Sequence, residues 1–401
     1  MKEKIITIGP YHPLQEEPEL FKLYCDGETV KNVEWVTGYN HRSIEKLSEG
    51  KTFDQSFFLV ERVCGICSTS HPFAFANCIE EIVGVEIPNR AKYIRSIIGE
   101  MERIHSHLLW VGLAGHFLGY NTVFMWAWKY REPVLDLFEM ISGNRNSYAM
   151  FKVGGVRRDI PNDLIPRVRK VVADVKKKCD LLTGAVMDDP VIHARTKGVG
   201  VINRKEVIEY GALGPTARAA GVEIDVRRDD PYAAYDMVDW KVITAQQGDV
   251  FAKAEVRLLE MYESISIIEQ CLDGLEKLPE GDIETLVKEI PAGIGFGRAE
   301  APRGEVFHFV ETDGSQYPKR HKIRAPSYMN IPTFKVSAVG QTISDSTIAL
   351  AAVDPCYCCT ERMAFVYDWK SGKKLFNGED LIKFGQLKTD DVKRKLEKNN
   401  S

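Results

Sequence analysis

Two short cysteine pairs stand at opposite ends of this chain, Cys64 and Cys67 in RVCGIC and Cys356 and Cys359 in DPCYCC. Together they offer four thiolates, a donor set suited to soft or borderline metals: zinc, iron in a cluster, or nickel with iron. Zinc ribbons and fingers draw both pairs from one short module. These pairs can meet only if the whole fold closes around the metal, so a central, buried site is expected. The nine cysteines are odd in number and follow no secretory signal, which argues against a disulfide framework.

Composition narrows the class. A chain of 401 residues, 44% hydrophobic and 27% charged, should fold as one large domain or two. With 53 basic against 57 acidic residues, nothing suggests nucleic acid or a polybasic membrane anchor. The N-terminal MKEKIITIGPYHPL lacks the apolar core of a signal peptide, so a cytoplasmic chain is expected. Ser106 to Trp128 carries no Asp, Glu, Lys or Arg over a length that could span a bilayer, but it contains His107, His116, Asn121 and three glycines. A broken helix buried in a large core fits it better than a span.

The patterning predicts an α+β fold, predominantly helical. A β-rich part occupies about 1–45, with strands joined by a DGE turn, and a helical core occupies about 55–290. Within that core, Ala91, Ile94, Ile97, Ile98, Met101, Ile104 and Leu108 form a stripe at helical spacing. Pro161–Val186 and Val250–Leu278 read as two more long helices, with loops and short helices over 191–242 and a DMVDWKV strand candidate. The part from 291 to 362 reads as a GIGFG turn, a hairpin around DGS, a strand-like IALAAVD run and the second cysteine motif. The charged stretch 363–401 reads as a loosely held tail.

The flanks of the cysteines sharpen the site. Gly65 lets the backbone pass close to a metal, and Pro72 opens a helix whose N-terminus favours thiolates. RVCGICSTSH together with DPCYCCTER resembles the large subunit of [NiFe] hydrogenases, in the energy-converting, membrane-associated branch related to the quinone-site subunit of respiratory complex I. The resemblance extends through GPYHPLQEEPELF, ERIHSHLLW, LGPTARAAGVEIDVRRDDPYAAY and EAPRGEVFHFV, essentially the whole chain.

That resemblance implies a core helical bundle with a small N-terminal sheet and a peripheral hairpin, and a Ni–Fe centre with CO and cyanide on the iron. Cys64 and Cys356 would be terminal nickel ligands, and Cys67 and Cys359 would bridge nickel and iron. Arg303 would stand above the open metal position and Pro302 would shape the iron-ligand pocket. Glu17, with Glu16 as competitor, would begin proton removal, His71 would lie beside the bridging sulfur, and Asp354 would open the second motif. Cleaving H2 heterolytically needs a metal, a nearby base and a titratable path for the proton. A cysteine thiolate or Arg303 could be the first base. No cysteines remain with ferredoxin spacing, so no Fe–S cluster is expected in this chain. The implied partners are a small subunit with a [4Fe–4S] cluster, membrane and other complex subunits on the inner face of the cell membrane, and a ferredoxin-like carrier. Arg362 stands where many uptake hydrogenases have histidine. In the energy-converting branch a maturation protease cuts after this position, which makes Met363–Ser401 a propeptide.

Blander expectations stand beside these. The cysteines could hold structural zinc on a non-catalytic scaffold, or belong to a nickel-free, sulfur- or quinone-reducing relative. His105 and His107 suit a buried polar network, His12 suits packing, and Cys25, Cys78, Cys179 and Cys271 suit the core. Cys358 reads as a bystander.

Overall fold

The computed structural model describes residues 4–13, 15–360, 366–368 and 370–399; the position of Arg362 lies outside the described residues. Alternating burial along the N-terminal segment gives three antiparallel strands, β1 (Lys4–Ile8), β2 (Leu20–Asp26) and β3 (Thr29–Val36), with β2 in the middle. The expected turn carries Gly27 at φ +61°. The inward side chains Phe21, Leu23, Val30 and Val33 share a core with Ile331, Phe334, Leu350 and Tyr357, so the first part of the chain packs on the last.

The helical core consists of α1 (Ser70–Val83), α2 (Asn89–Phe117), α3 (Asn121–Ser142), α4 (Ile165–Met187) and α5 (Val250–Leu275). Helix α2 packs between α3 and α5, and its stripe from Ala91 to Leu108 is fully enclosed. Arg90, Arg95, Glu100, Glu102, Arg103, His105 and His107 are buried on the same helix. A helix enclosed all round needs a partner for each of these charges. The apolar stretch breaks between α2 and α3, where Gly119 has φ +88°. Among the described residues no helix is long and apolar enough to cross a membrane.

A second antiparallel sheet contains β4 (Ala292–Ala301), β5 (Gly304–Asp313) and β6 (Arg320–Arg324). Here the GIGFG run is a strand and not a turn. Helix α1 lies so close to it that a Cβ on Gly297 would meet Ala74 O at 1.9 Å, and one on Gly295 would meet Cys78 O at 2.3 Å. Glycine fits this strand because it lacks a side chain, an advantage that strand propensity does not register. The IALAAVD run also departs from expectation: it covers the end of helix α6 (Ile343–Ala352), whose start is capped by Thr342 Oγ1 accepting from the Asp345 amide. Residues 236–242 form no strand. In the tail, a short hairpin, Val366–Tyr367 with Lys374–Phe376, precedes helix α7 (Gly378–Asn399). The fold is a predominantly helical α+β architecture, as the pattern implied.

Candidate metal centre

The first cysteine pair sits in the loop before α1. Cys67 N donates to Cys64 Sγ at 3.2 Å, which turns the loop tightly at Gly65. The Thr69 and Ser70 amides at the start of α1 donate to the Glu102 carboxylate. The helix terminus expected to favour thiolates is therefore already matched to a buried acid. Burial pushes the Glu102 carboxyl up to about 7, against these bonds. His105 of α2 meets the same loop, with Nε2 at 3.1 Å from Ile66 O and Nδ1 accepting from Arg131 Nε.

The second pair follows α6. Asp354 adopts the left-handed region at φ +56°, tolerable for aspartate, and turns the chain inward. The Cys356 amide donates to Ser327 Oγ at 2.9 Å, and the Cys359 amide to Cys356 O at 3.2 Å. The sulfurs then converge. Cys356 Sγ lies 3.1 Å from both Cys64 Sγ and Cys359 Sγ, and these three fall within 4.8 Å of one another. Cys67 stands outside that group, its sulfur 3.6 Å from Arg303 Nη1. Hydrogen bonds from Cys356, Cys359 and Cys67 hold the Cys64 thiol well below its ordinary range. Donation to Cys64 and then burial hold Cys67 well above it.

Arg303 reaches this cluster from an unusual place. Ala301 pairs with Gly304, so Pro302 and Arg303 form a two-residue hairpin tip, which here is buried in the protein. Asn330 Nδ2 satisfies the Arg303 carbonyl at 3.1 Å. Arg103 of α2 steadies the incoming strand through Glu300 O at 2.7 Å and Ala301 O at 3.2 Å. Arg103 in turn belongs to a buried ion network with Glu100, Arg227, Asp225, Arg218, Glu300 and Glu260, and His107 joins it at 2.9 Å from Glu260. Of the two histidines expected in a buried polar network, His107 belongs to this one, which supports the hairpin, while His105 bonds separately to Ile66 O and Arg131.

Three further contacts complete the site. Glu17 Oε2 accepts the Cys358 amide at 2.5 Å and lies 3.7 Å from Cys356 Sγ. The neighbouring Glu16 keeps surface exposure, yet protein packed around its carboxyl pushes it up to about 7 in spite of Arg303. His71 Nε2 lies 3.7 Å from Cys359 Sγ. Sequence inspection had passed over Arg42. Its guanidinium binds the carbonyls of Arg62 at 2.6 Å, Val63 at 2.9 Å and Cys358 at 3.3 Å, and so ties the two cysteine segments together. A lone arginine in TGYNHRS carries no signal of such a role; it is visible only once the ends meet.

Buried thiols in mutual contact, with a carboxylate and a guanidinium beside them, suit a soft-metal group. The donor chemistry and the enclosure fit the implied Ni–Fe centre.

Residues 118–291 and 285–362 match the family model of the respiratory-chain NADH dehydrogenase 49 kDa subunit, and residues 42–113 match that of nickel-dependent hydrogenases. The class defined by this fold and thiol closure is thus the hydrogenase large subunits together with their counterparts in respiratory complexes. The chain is 39% identical to the alpha subunit of the membrane-bound hydrogenase of Pyrococcus furiosus, over 96% of this chain and 93% of that one. It is 37% identical to the carbon monoxide-induced hydrogenase of Rhodospirillum rubrum, over 90% of this chain and 100% of that one. Among solved structures it superposes on a chain of the membrane-bound sulfane sulfur reductase, an archaeal respiratory membrane complex, with TM-score 0.85 and 31% identity over 90% of this chain and 98% of that one. The chain belongs to this family, in its energy-converting, group 4 branch.

Proposed function

We propose that this chain is the catalytic large subunit of a membrane-associated [NiFe] hydrogenase, interconverting H2 with protons and electrons. The observation that carries it is the convergence of Cys64, Cys356 and Cys359 sulfurs beside Glu17, with Cys67 under Arg303. Cys64 and Cys356 would hold nickel terminally, Cys67 and Cys359 would bridge to an iron carrying CO and cyanide, and Pro302 would border the iron ligands. Bound there, the group would supply Lewis acidity and electron exchange for heterolytic cleavage.

The protein's own part follows from its hydrogen bonds. Arg303 donates Nε and Nη2 to Asp354 and turns Nη1 towards Cys67 and Ser106. Burial works against its charge, but Asp354 and the cysteines hold its pKa well above the ordinary guanidinium value. Arg303 is thus a fixed cation that orients and polarises, and the first base is a cysteine thiolate. Glu17 takes the proton onward from Cys356, and Glu16 beside it can exchange protons near neutrality. Cys25, Cys78, Cys179 and Cys271 are single buried residues on β2, α1, α4 and α5. Electrons therefore leave through a partner, a small subunit with a [4Fe–4S] cluster serving a ferredoxin-like carrier. Membrane subunits would hold the chain peripherally at the inner face. The 49 kDa family match ends at residue 362, which supports proteolytic removal of Met363–Ser401 on maturation.

The likeness to the sulfane sulfur reductase supports a second reading, a nickel-free subunit of a sulfur-reducing complex. Nickel per large subunit in the anaerobically isolated native complex separates them, on material whose mass shows a C-terminus at Arg362. About one nickel per chain is expected. Trimmed protein without nickel selects the second reading, and zinc in its place makes the chain a scaffold.

A further inference from the structure

Behind Cys359 a continuous line of hydrogen bonds runs away from the sulfurs. His71 Nδ1 lies 3.1 Å from His308 Nε2, His308 Nδ1 lies 3.0 Å from His321 Nε2, and His321 Nδ1 lies 2.9 Å from Ser48 Oγ. Strands β5 and β6 supply two of the histidines as diagonal neighbours, and Phe75 stacks on His321 with ring centroids 5.0 Å apart. All three rings and Ser48 are buried. Burial lowers His71 to about 4 and His321 to about 3, and pushes His308 well below its usual value. The rings face one another nitrogen to nitrogen, so one N–H on each imidazole makes every link in the line.

In such a chain the direction of one link fixes all the others, because every ring must donate on one side and accept on the other. The far end sets that direction: the Ser48 hydroxyl has one proton, and it goes to Glu45 O at 2.8 Å. Ser48 Oγ therefore accepts from His321 Nδ1–H, His321 Nε2 accepts from His308, and His308 Nε2 accepts from His71 Nδ1–H. The His71 Nε2 lone pair is left facing Cys359 Sγ. That suits a thiol, since Cys359 can turn its one S–H from Cys64 to this lone pair. It does not suit a thiolate held by a metal, since metal binding takes the sulfur's proton to solvent. The opposite direction then fits, with the Ser48 hydroxyl turned to His321 Nδ1 and an N–H from His71 on the sulfur.

We propose that Ser48, His321 and His308 are positioning residues that set the tautomer of His71, giving Cys359 a lone pair while it is a thiol and an N–H donor once a metal holds it. The second half rests on Cys359 being a ligand; the direction of the chain in metal-free protein does not.

The test is nitrogen-15 NMR of the histidine rings in the full-length chain at neutral pH, which distinguishes a protonated from a bare ring nitrogen. In metal-free protein His71, His308 and His321 should all carry the proton on Nδ1. Ser48→Ala removes the terminal acceptor and should move His308 out of that state, and Ser48→Thr should restore it. A mixture of tautomers among the three wild-type rings overturns the proposal, as does a Ser48→Ala protein whose His308 is unchanged. On adding nickel(II), all three protons should shift to Nε2 together; bound nickel with His71 still protonated on Nδ1 overturns the second half. If nickel does not bind, the failure belongs to the metal-centre assignment, and the metal-free spectrum still decides the chain's direction.

Discussion

Arg303 holds Asp354 twice, through Nε to its backbone oxygen at 2.8 Å and through Nη2 to Oδ1 at 2.7 Å. The tip of one hairpin thereby fixes the residue that turns the second cysteine motif inward. Removing one member of a buried ion pair leaves an unmatched charge and costs about 3–5 kcal/mol. Arg303→Met should lower the denaturation midpoint accordingly and reduce nickel retention. Arg303→Lys should retain charge but lose the two-pronged grip, and fall between. Unchanged stability in the Met variant would refute this account of the pair.

The cysteines should separate cleanly by metal content. Serine at Cys64, Cys67, Cys356 or Cys359 is expected to bring nickel per chain close to zero. Cys358→Ser should retain it, because Cys358 contributes its amide to Glu17 and its carbonyl to Arg42. Elemental analysis of the five variants checks this, and metal loss in Cys358→Ser would contradict it.

Glu17→Gln keeps an oxygen for the Cys358 amide but cannot carry a proton at neutral pH. Nickel content should be preserved while exchange between H2 and deuterated water falls by about 100-fold or more. Normal exchange in the loaded variant would point to Glu16 as the first acceptor.

Gly297 and Gly293 differ in what stands over them. An added methyl at Gly297 would strike the α1 backbone, whereas at Gly293 it would meet only Ile82 Cγ2 at 3.1 Å. Gly297→Ala should cost at least about 1–3 kcal/mol and Gly293→Ala clearly less. Equal denaturation midpoints would show that α1 can shift without penalty.

Lys253 is buried with its ammonium on Gly200 O at 2.9 Å, and burial lowers it from 10.5 to about 7. Between these values the unfolded chain binds more protons than the folded one, so this group makes stability rise with pH. Lys253→Met should remove that slope. Its stability advantage over wild type should be largest near pH 7 and shrink towards pH 10.5, and a constant difference in denaturant titrations would exclude the mechanism.

The thiol centre was legible because its residues come in motifs whose spacing has a chemical meaning. Arg303 and Glu17 were reached by resemblance, and their separation from the cysteines in sequence hides contacts of 3.6 and 3.7 Å. His308, His321 and Arg42 escaped because each is a lone residue whose partners depend on strand register or on the meeting of the chain's ends. The long helices were readable from apolar periodicity. The β4 glycines were not, since their reason is the backbone of another element. IALAAVD failed for a local cause: its β-like composition yields to a cap at Thr342 that starts the helix several residues earlier.

Cys64 and Cys356 are 292 positions apart and their sulfurs are 3.1 Å apart. The loop they close takes in most of the polypeptide, so its closure carries a large entropic cost and is slow to find. An ion seated there would act as a clasp on that loop, favouring the folded over the unfolded chain in proportion to its binding. Loosening at either end would open the clasp, so metal occupancy doubles as a certificate that both ends of the molecule are in place.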